Sequence, residues 1–262
     1  MATVSDFTLV KDDNPLDVHA QFDDLRSRCP MAFTSDNGGF WMLSKYEDVK
    51  RCASDHKFFV SSVKAVIPSD PRGIRRPPLN TDPPAHTPYR TALDRTLKPA
   101  RILKLESVLT EHATREFANM VKAGGGDMCG DFGASYAAWV EVSWLNLADD
   151  TAPELARTAT AWINAWRQQN GPETTTQSEK LYTIARQLFA QRRADPMDPE
   201  QDPCSSLLLE KGPDGEPLSD ELLVYDCTPT LRTKVVSLNL LTQGRDAFLI
   251  VQHSANRSSL AW

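Results

Sequence analysis

Thr81-Asp-Pro-Pro-Ala-His-Thr-Pro-Tyr-Arg90 is the densest polar constellation in the chain, and its reading decides the fold. Pro88 would clash inside a helix begun at Pro83, so the helix is expected to start at Thr87 with Pro88 in its first turn. His86 and Arg90 stand four residues apart and point the same way from that helix entrance. An imidazole beside a guanidinium suits carboxylates, because both groups donate and Arg offers a planar fork. The plainer alternative is that His86 caps a turn and Arg90 is solvated. Taken alone, the pair favours that alternative, since the spacing is common by chance.

The surroundings are helical. Upstream, seven prolines fall between Pro68 and Pro88 in one extended segment. Val18, Phe22, Leu25 and Cys29 repeat at helical spacing, which predicts a first helix from Pro15 to Arg28. Met31-Ala-Phe-Thr and Phe40-Trp-Met-Leu flank Asp36-Asn-Gly-Gly39 and read as a β-hairpin. Lys45 to Ser54 forms a short helix. Downstream, Leu105, Val108, Leu109, His112, Phe117, Met120 and Val121 make a stripe ending at Gly124-Gly-Gly126. Phe132 to Leu147 is a second apolar stretch. Leu155, Ala159, Trp162, Ile163 and Trp166 define a third helix, and Leu181, Ile184, Leu188 and Phe189 a fourth. The expected fold is mainly α with a small β-hairpin element.

Composition excludes several function classes. The 262 residues carry a formal charge of -6, which argues against a nucleic-acid binder needing a basic field. Hydrophobic residues are 40% and charged ones 24%, enough to bury a globular core. No apolar run reaches the roughly 18 residues of a membrane span, and the amino terminus lacks a signal-peptide core, so a soluble cytoplasmic protein is expected. Cysteines at 29, 52, 129, 204 and 227 form no CxxC pair and no disulfide ladder. They give no reason to assign a metal ligand.

Read in order, these pieces resemble a bacterial-type, soluble cytochrome P450. The resemblance rests on Thr81 to Leu93 after the proline-rich loop, preceded by WMLSKYEDVKRCASDHKFFVSS (41–62). GDMCGDFGASYAAWVEVSWL (126–145) and DPCSSLLLEKGPDGEPLSDELL (202–223) follow in family order. It implies a partial P450 fold over residues 1–224 and a lineage of haem-dependent monooxygenation of a small organic substrate. It further implies that His86 and Arg90 hold a haem propionate. Val63, Val66 and Ile67, in the loop from Phe59 to Leu79, are the implied apolar substrate contacts. An acidic ferredoxin- or flavodoxin-type electron donor is the implied partner. Arg90, Arg95, Lys98, Arg101 and Lys104 form a basic set on the corresponding surface. In this chain we read them as a solvated helix face.

Beyond Val224 the resemblance stops. The acid-alcohol pair, Glu-x-x-Arg and the Phe-x-x-Gly…Cys frame that supplies the thiolate ligand are all absent downstream. Residues 225–262 hold only Asp226 and Asp246 as acids, against Arg232, Lys234, Arg245 and Arg257. The expectation is a tail that is out of frame or read through an intron, and a chain that is catalytically inactive as written, with no catalytic residue assigned. Without the central helix, the stripes at 155–166 and 181–188 are expected to lack part of their partner surface. The competing readings are a non-catalytic helical binding or interaction protein and a pseudogene product.

Overall fold

The computed structural model describes residues 7–8, 15–63, 67, 75–225 and 249–252. The chain divides into two compact units. One comprises residues 1–75, 79–83 and 246–262, the other residues 76–78 and 84–245.

In the first unit, helix α1 (Pro15–Arg28) carries Asp17 in its first turn and Arg26 and Arg28 in its last, both favourable to the helix dipole. Its Phe22 and Leu25 are buried with Ala32, Phe40 and Met42 of the hairpin. Strands β1 (Met31–Thr34) and β2 (Phe40–Leu43) pair antiparallel, Thr34 opposite Phe40 and Phe33 opposite Trp41. Asn37, Gly38 and Gly39 all take positive φ, and this reverses the chain between the strands. A Cβ on Gly39 would sit 3.0 Å from the Phe33 ring, tight enough that the ring would have to shift. The hairpin gains a third strand that the sequence reading lacked. Strand β3 (Leu249–Gln252) pairs antiparallel with β2. Helix α2 (Tyr46–Ser54) completes the unit.

The second unit is built mainly of helices, with one isolated β-bridge between Lys211 and Pro217. Helices α3 (His86–Thr96), α4 (Pro99–Leu103) and α5 (Glu106–Lys122) lead to a π-helical turn, Met128–Gly133. Helix α6 (Ala134–Trp144) packs between α5 and α7 (Thr151–Arg167), and α7 packs on α8 (Gly171–Ala194). Helix α9 (Pro203–Leu207) follows, and residues 220–225 begin another helix. Alanines 134, 137 and 138 on α6 keep the backbones close, and all three are buried. Gly124 and Gly125 at positive φ end α5, their N–H groups donating to the carbonyls of Val121 and Met120.

Three sequence expectations change. Helix α8 starts at Gly171, well before its apolar stripe, because the Asn170 side chain caps it by accepting from the Glu173 N–H. On α5, His112 is buried but Phe117 and Val121 are 49% and 59% exposed. The stripes expected to be short of partners are largely covered: Leu155 and Ala159 of α7 and Leu181 and Leu188 of α8 are buried, while Trp162, Trp166 and Ile184 are half-buried. Packing of α7 on α6 and α8 supplies this cover within the unit.

Candidate functional site

The polar constellation at residues 81–90 becomes a loop clamp followed by a helix entrance. Asp82 accepts hydrogen bonds from the backbone N–H groups of Ser61 at 2.8 Å and Ser62 at 3.0 Å. Arg75 braces the same place, donating to the carbonyls of Ser62 at 3.0 Å and Asn80 at 3.3 Å. Burial pushes the Asp82 carboxyl upward, but the hydrogen bonds from Ser62 and Ser61, with the His56 charge, hold it below the usual aspartate value. Sequence reading did not single out this role. A carboxylate before a Pro-Pro pair was the only available signal.

Helix α3 opens at His86, one residue before its expected start, with Pro88 in its first turn. Thr87 N–H donates to the Pro84 carbonyl, which starts the turn. His86 is half-buried, and its ring has no hydrogen-bond partner among the described residues. One turn later, Arg90 is exposed and lies 2.9 Å from Asp94. The two predicted propionate ligands therefore follow one another along the helix without touching a common partner. An exposed i,i+4 pair such as Arg90–Asp94 is worth only about 0.3–0.5 kcal/mol, so it holds Arg90 weakly.

The predicted substrate contacts separate. Val63 is 69% exposed. Ile67 is half-buried and packs against the hairpin core, so its apolar surface is already engaged by protein. Val66 lies outside the described residues.

The basic set after the motif is not a simple solvated face. Arg101 is 6% exposed and donates to the carbonyls of Glu200, Thr96, Arg95 and Pro199. Arg95 makes two 2.7 Å bonds to Glu210, Lys98 pairs with Glu200 at 3.3 Å, and Lys104 donates to Gln201. These bases tie α3 and α4 to the 198–210 segment, and much of their charge is answered there. Charge spacing could not reveal this, because the acids come from about a hundred residues downstream.

For a haem, which the resemblance implies, His86 and Arg90 carry donor groups from which a propionate could accept, and Cys29, Cys52 and Cys204 are the described free cysteines. Cys204 is fully buried in the helical core, while Cys29 and Cys52 are half-buried on or beside α1 and α2. Cys227 lies outside the described residues. Among the described residues, no group of three metal-ligating side chains comes together.

Two strings spell fragments of the family signatures elsewhere, and sequence reading passed over them. Gly171-Pro-Glu-Thr-Thr175 opens α8, where Glu173 is engaged by the Asn170 cap and by Gln177 at 2.6 Å. Glu154-Leu-Ala-Arg157 lies on α7 with both charged groups exposed. Each is ordinary helix chemistry: a capped amino terminus and a solvated face.

No family profile matches the chain. It is similar to the steroid C26-monooxygenase of Mycobacterium tuberculosis, 25% identical over 252 residues, covering 87% of this chain and 56% of that protein. The linalool 8-monooxygenase of Pseudomonas putida is 23% identical over 234 residues, covering 81% and 56%. A cytochrome P450 of Mycobacterium marinum, solved with pseudoionone, superposes with a TM-score of 0.73 at 19% identity, covering 93% of this chain and 63% of that one. The open form of the cytochrome P450 Eryk from S. erythraea gives 0.69 at 19% identity, covering 87% and 57%. No helix among the described residues is long and apolar enough to cross a membrane. The chain thus has part of a cytochrome P450 fold and is similar to bacterial cytochrome P450 monooxygenases, spanning about half the length of the curated relatives it matches.

Proposed function

We propose that the chain carries the propionate-holding edge and part of the substrate side of a haem-dependent monooxygenase. When bound, haem supplies the iron that activates dioxygen, one oxygen atom entering a small organic substrate. The observation carrying this reading is the α3 entrance: His86 has no protein partner among the described residues, and Arg90 is held only by an exchangeable pair. His86 and Arg90 bind and orient a propionate through charge-assisted hydrogen bonds. Val63 is the apolar contact open to a substrate, and Val66 and Ile67 belong to the same proposal as the other two substrate contacts. Relatives named for a steroid and for linalool support an apolar substrate class. An acidic ferredoxin- or flavodoxin-type donor belongs to the same reading, guided by residual positive charge around α3 and α4.

The proposal includes inactivity of these 262 residues by themselves. Two contacts on one edge do not replace an axial thiolate. The domain division at residue 224 also belongs to the proposal. The pairing of Leu249–Gln252 with β2 favours a tail that takes part in the fold, and the coding DNA beyond codon 224 tests that point.

Haem titration of the purified chain tests the rest. We expect weak binding, loosened further in His86→Ala and Arg90→Ala, with no thiolate-type band under carbon monoxide. Binding indifferent to both substitutions removes the propionate assignment. A thiolate-type band removes the inactivity claim and makes Cys227 the next target. A second reading, a non-catalytic helical interaction protein, is favoured by the closed packing of α7 on α8. It gains if the chain melts cooperatively without taking up haem.

A further inference from the structure

Helices α5 and α6 are joined by a polar and aromatic cluster that the proposed haem chemistry does not use. His112 on α5 is 6% exposed. Its ring stacks on Trp139 of α6, with centroids 4.4 Å apart and planes 18° from parallel. The Arg115 guanidinium carbon lies 4.5 Å from the centroid of the same indole, a cation–π contact. Arg115 Nη2 lies 2.8 Å from His112 Nδ1. Arginine only donates, so Nδ1 accepts and His112 is the neutral tautomer with its proton on Nε2. Glu116 extends the cluster across the interface: it pairs with Arg115 at 3.3 Å and accepts from Ser135 of α6 at 2.9 Å.

We propose that His112 is a proton-operated latch between α5 and α6. In its neutral form it accepts from Arg115, and both groups rest on Trp139. A proton on Nδ1 removes that acceptor and sets a buried imidazolium against the half-exposed Arg115 guanidinium. Burial is the main force holding the imidazole below its ordinary value of 6.5, and the Arg115 charge adds to it. Asp149, in the turn after α6, and Glu111 and Glu116 on α5 pull the other way without prevailing. The folded midpoint is depressed, so the contribution to stability is present above 6.5 and is lost as pH falls through the folded midpoint. Between the two values the opening equilibrium rises by up to about tenfold per pH unit, the limit for uptake of one proton.

The test uses the full chain and nitrogen resonances of its histidines. We expect His112 to show the Nε2–H tautomer and to titrate below 6.5. Amide protection along Glu106–Lys122, corrected for intrinsic exchange, should fall through the same midpoint. His112→Gln keeps an acceptor for Arg115 and cannot charge, so its protection should stay flat over that range. Arg115→Met should move the His112 midpoint back toward 6.5, and this second variant decides the matter if the first does not fold. A midpoint at or above 6.5, a His112→Gln protection profile that falls with pH as the wild type's does, or an unmoved midpoint in Arg115→Met each overturns the latch.

Discussion

Arg192 Nε lies 3.1 Å from Asp202 Oδ1, and the two side chains are only 4% and 0% exposed. The line between them is not that of an aligned hydrogen bond, so this is an ion pair steadied by its neighbours. Arg192 donates to the carbonyl of Asn146 at 2.9 Å, and Asn146 donates to Asp202 at 3.1 Å. Asp202 also caps α9 by accepting from the Ser205 N–H at 2.6 Å. The ends of α6 and α8 and the start of α9 meet at this pair. Arg192→Met leaves a buried carboxylate without its cation and should cost about 3–5 kcal/mol in a urea melt. The double variant Arg192→Met with Asp202→Ala should cost less than the sum of the single changes, because no lone charge remains. An additive result counts against a coupled pair.

Arg101 offers a second stability test. Four backbone carbonyls accept from its guanidinium, and a lysine ammonium has neither the reach nor the planar fork to serve them all. Arg101→Lys should therefore lose about 1–3 kcal/mol, the range for leaving buried acceptors unserved. Lys98→Ala, at an exposed pair, should change the melt by no more than about 0.5 kcal/mol. Equal effects at the two sites would return the basic set to a solvated face.

Core packing gives a third test. Leu181 is fully buried in the main helical core, whereas Val121 on α5 is 59% exposed. Leu181→Ala should cost about 2–5 kcal/mol and Val121→Ala should stay within about 0.5 kcal/mol. The intact chain should bind little hydrophobic dye at α7 and α8, contrary to what the sequence alone led one to expect. Strong dye binding by the unmutated chain, or a small loss at Leu181, would restore the picture of stripes without partners.

Local signals in the sequence were legible wherever a segment settles its own structure. The spacing of Phe22 and Leu25, the Asn-Gly-Gly turn and the glycines after α5 each specify an element through neighbours a few residues away. The His86 and Arg90 pair was legible for the same reason, since Pro88 fixes where α3 starts. What stayed hidden depends on distant partners. Arg101 is buried by carbonyls at 199 and 200, and Asp82 is occupied by amides at 61 and 62. Ile67 packs partly against the hairpin core, a contact its own spacing did not announce. Strand β3 was equally out of reach, because pairing with β2 spans some two hundred residues. The string at 171–175 shows the converse: a motif is only letters until its place in the fold is known.

The last test concerns Asp82, whose two backbone bonds join residues about twenty apart. Its folded carboxyl titrates below the ordinary 3.8, despite a desolvation effect acting in the opposite direction. The stability it contributes is therefore present above 3.8 and is lost as pH falls through the folded midpoint. Asp82→Asn keeps one acceptor oxygen but removes the charge, and bonds to a charged acceptor are roughly twice as strong as neutral ones. The site is only half-buried, so the loss should be modest. We expect the Ser61 and Ser62 amides to exchange about fivefold faster in the variant, corresponding to about 1 kcal/mol. The wild-type amides should approach that behaviour below the carboxyl midpoint, which a carbon-13 titration of Asp82 locates independently. A midpoint at or above 3.8, or equal exchange in both proteins, would mean that Asp82 only lies beside the loop and does not hold it.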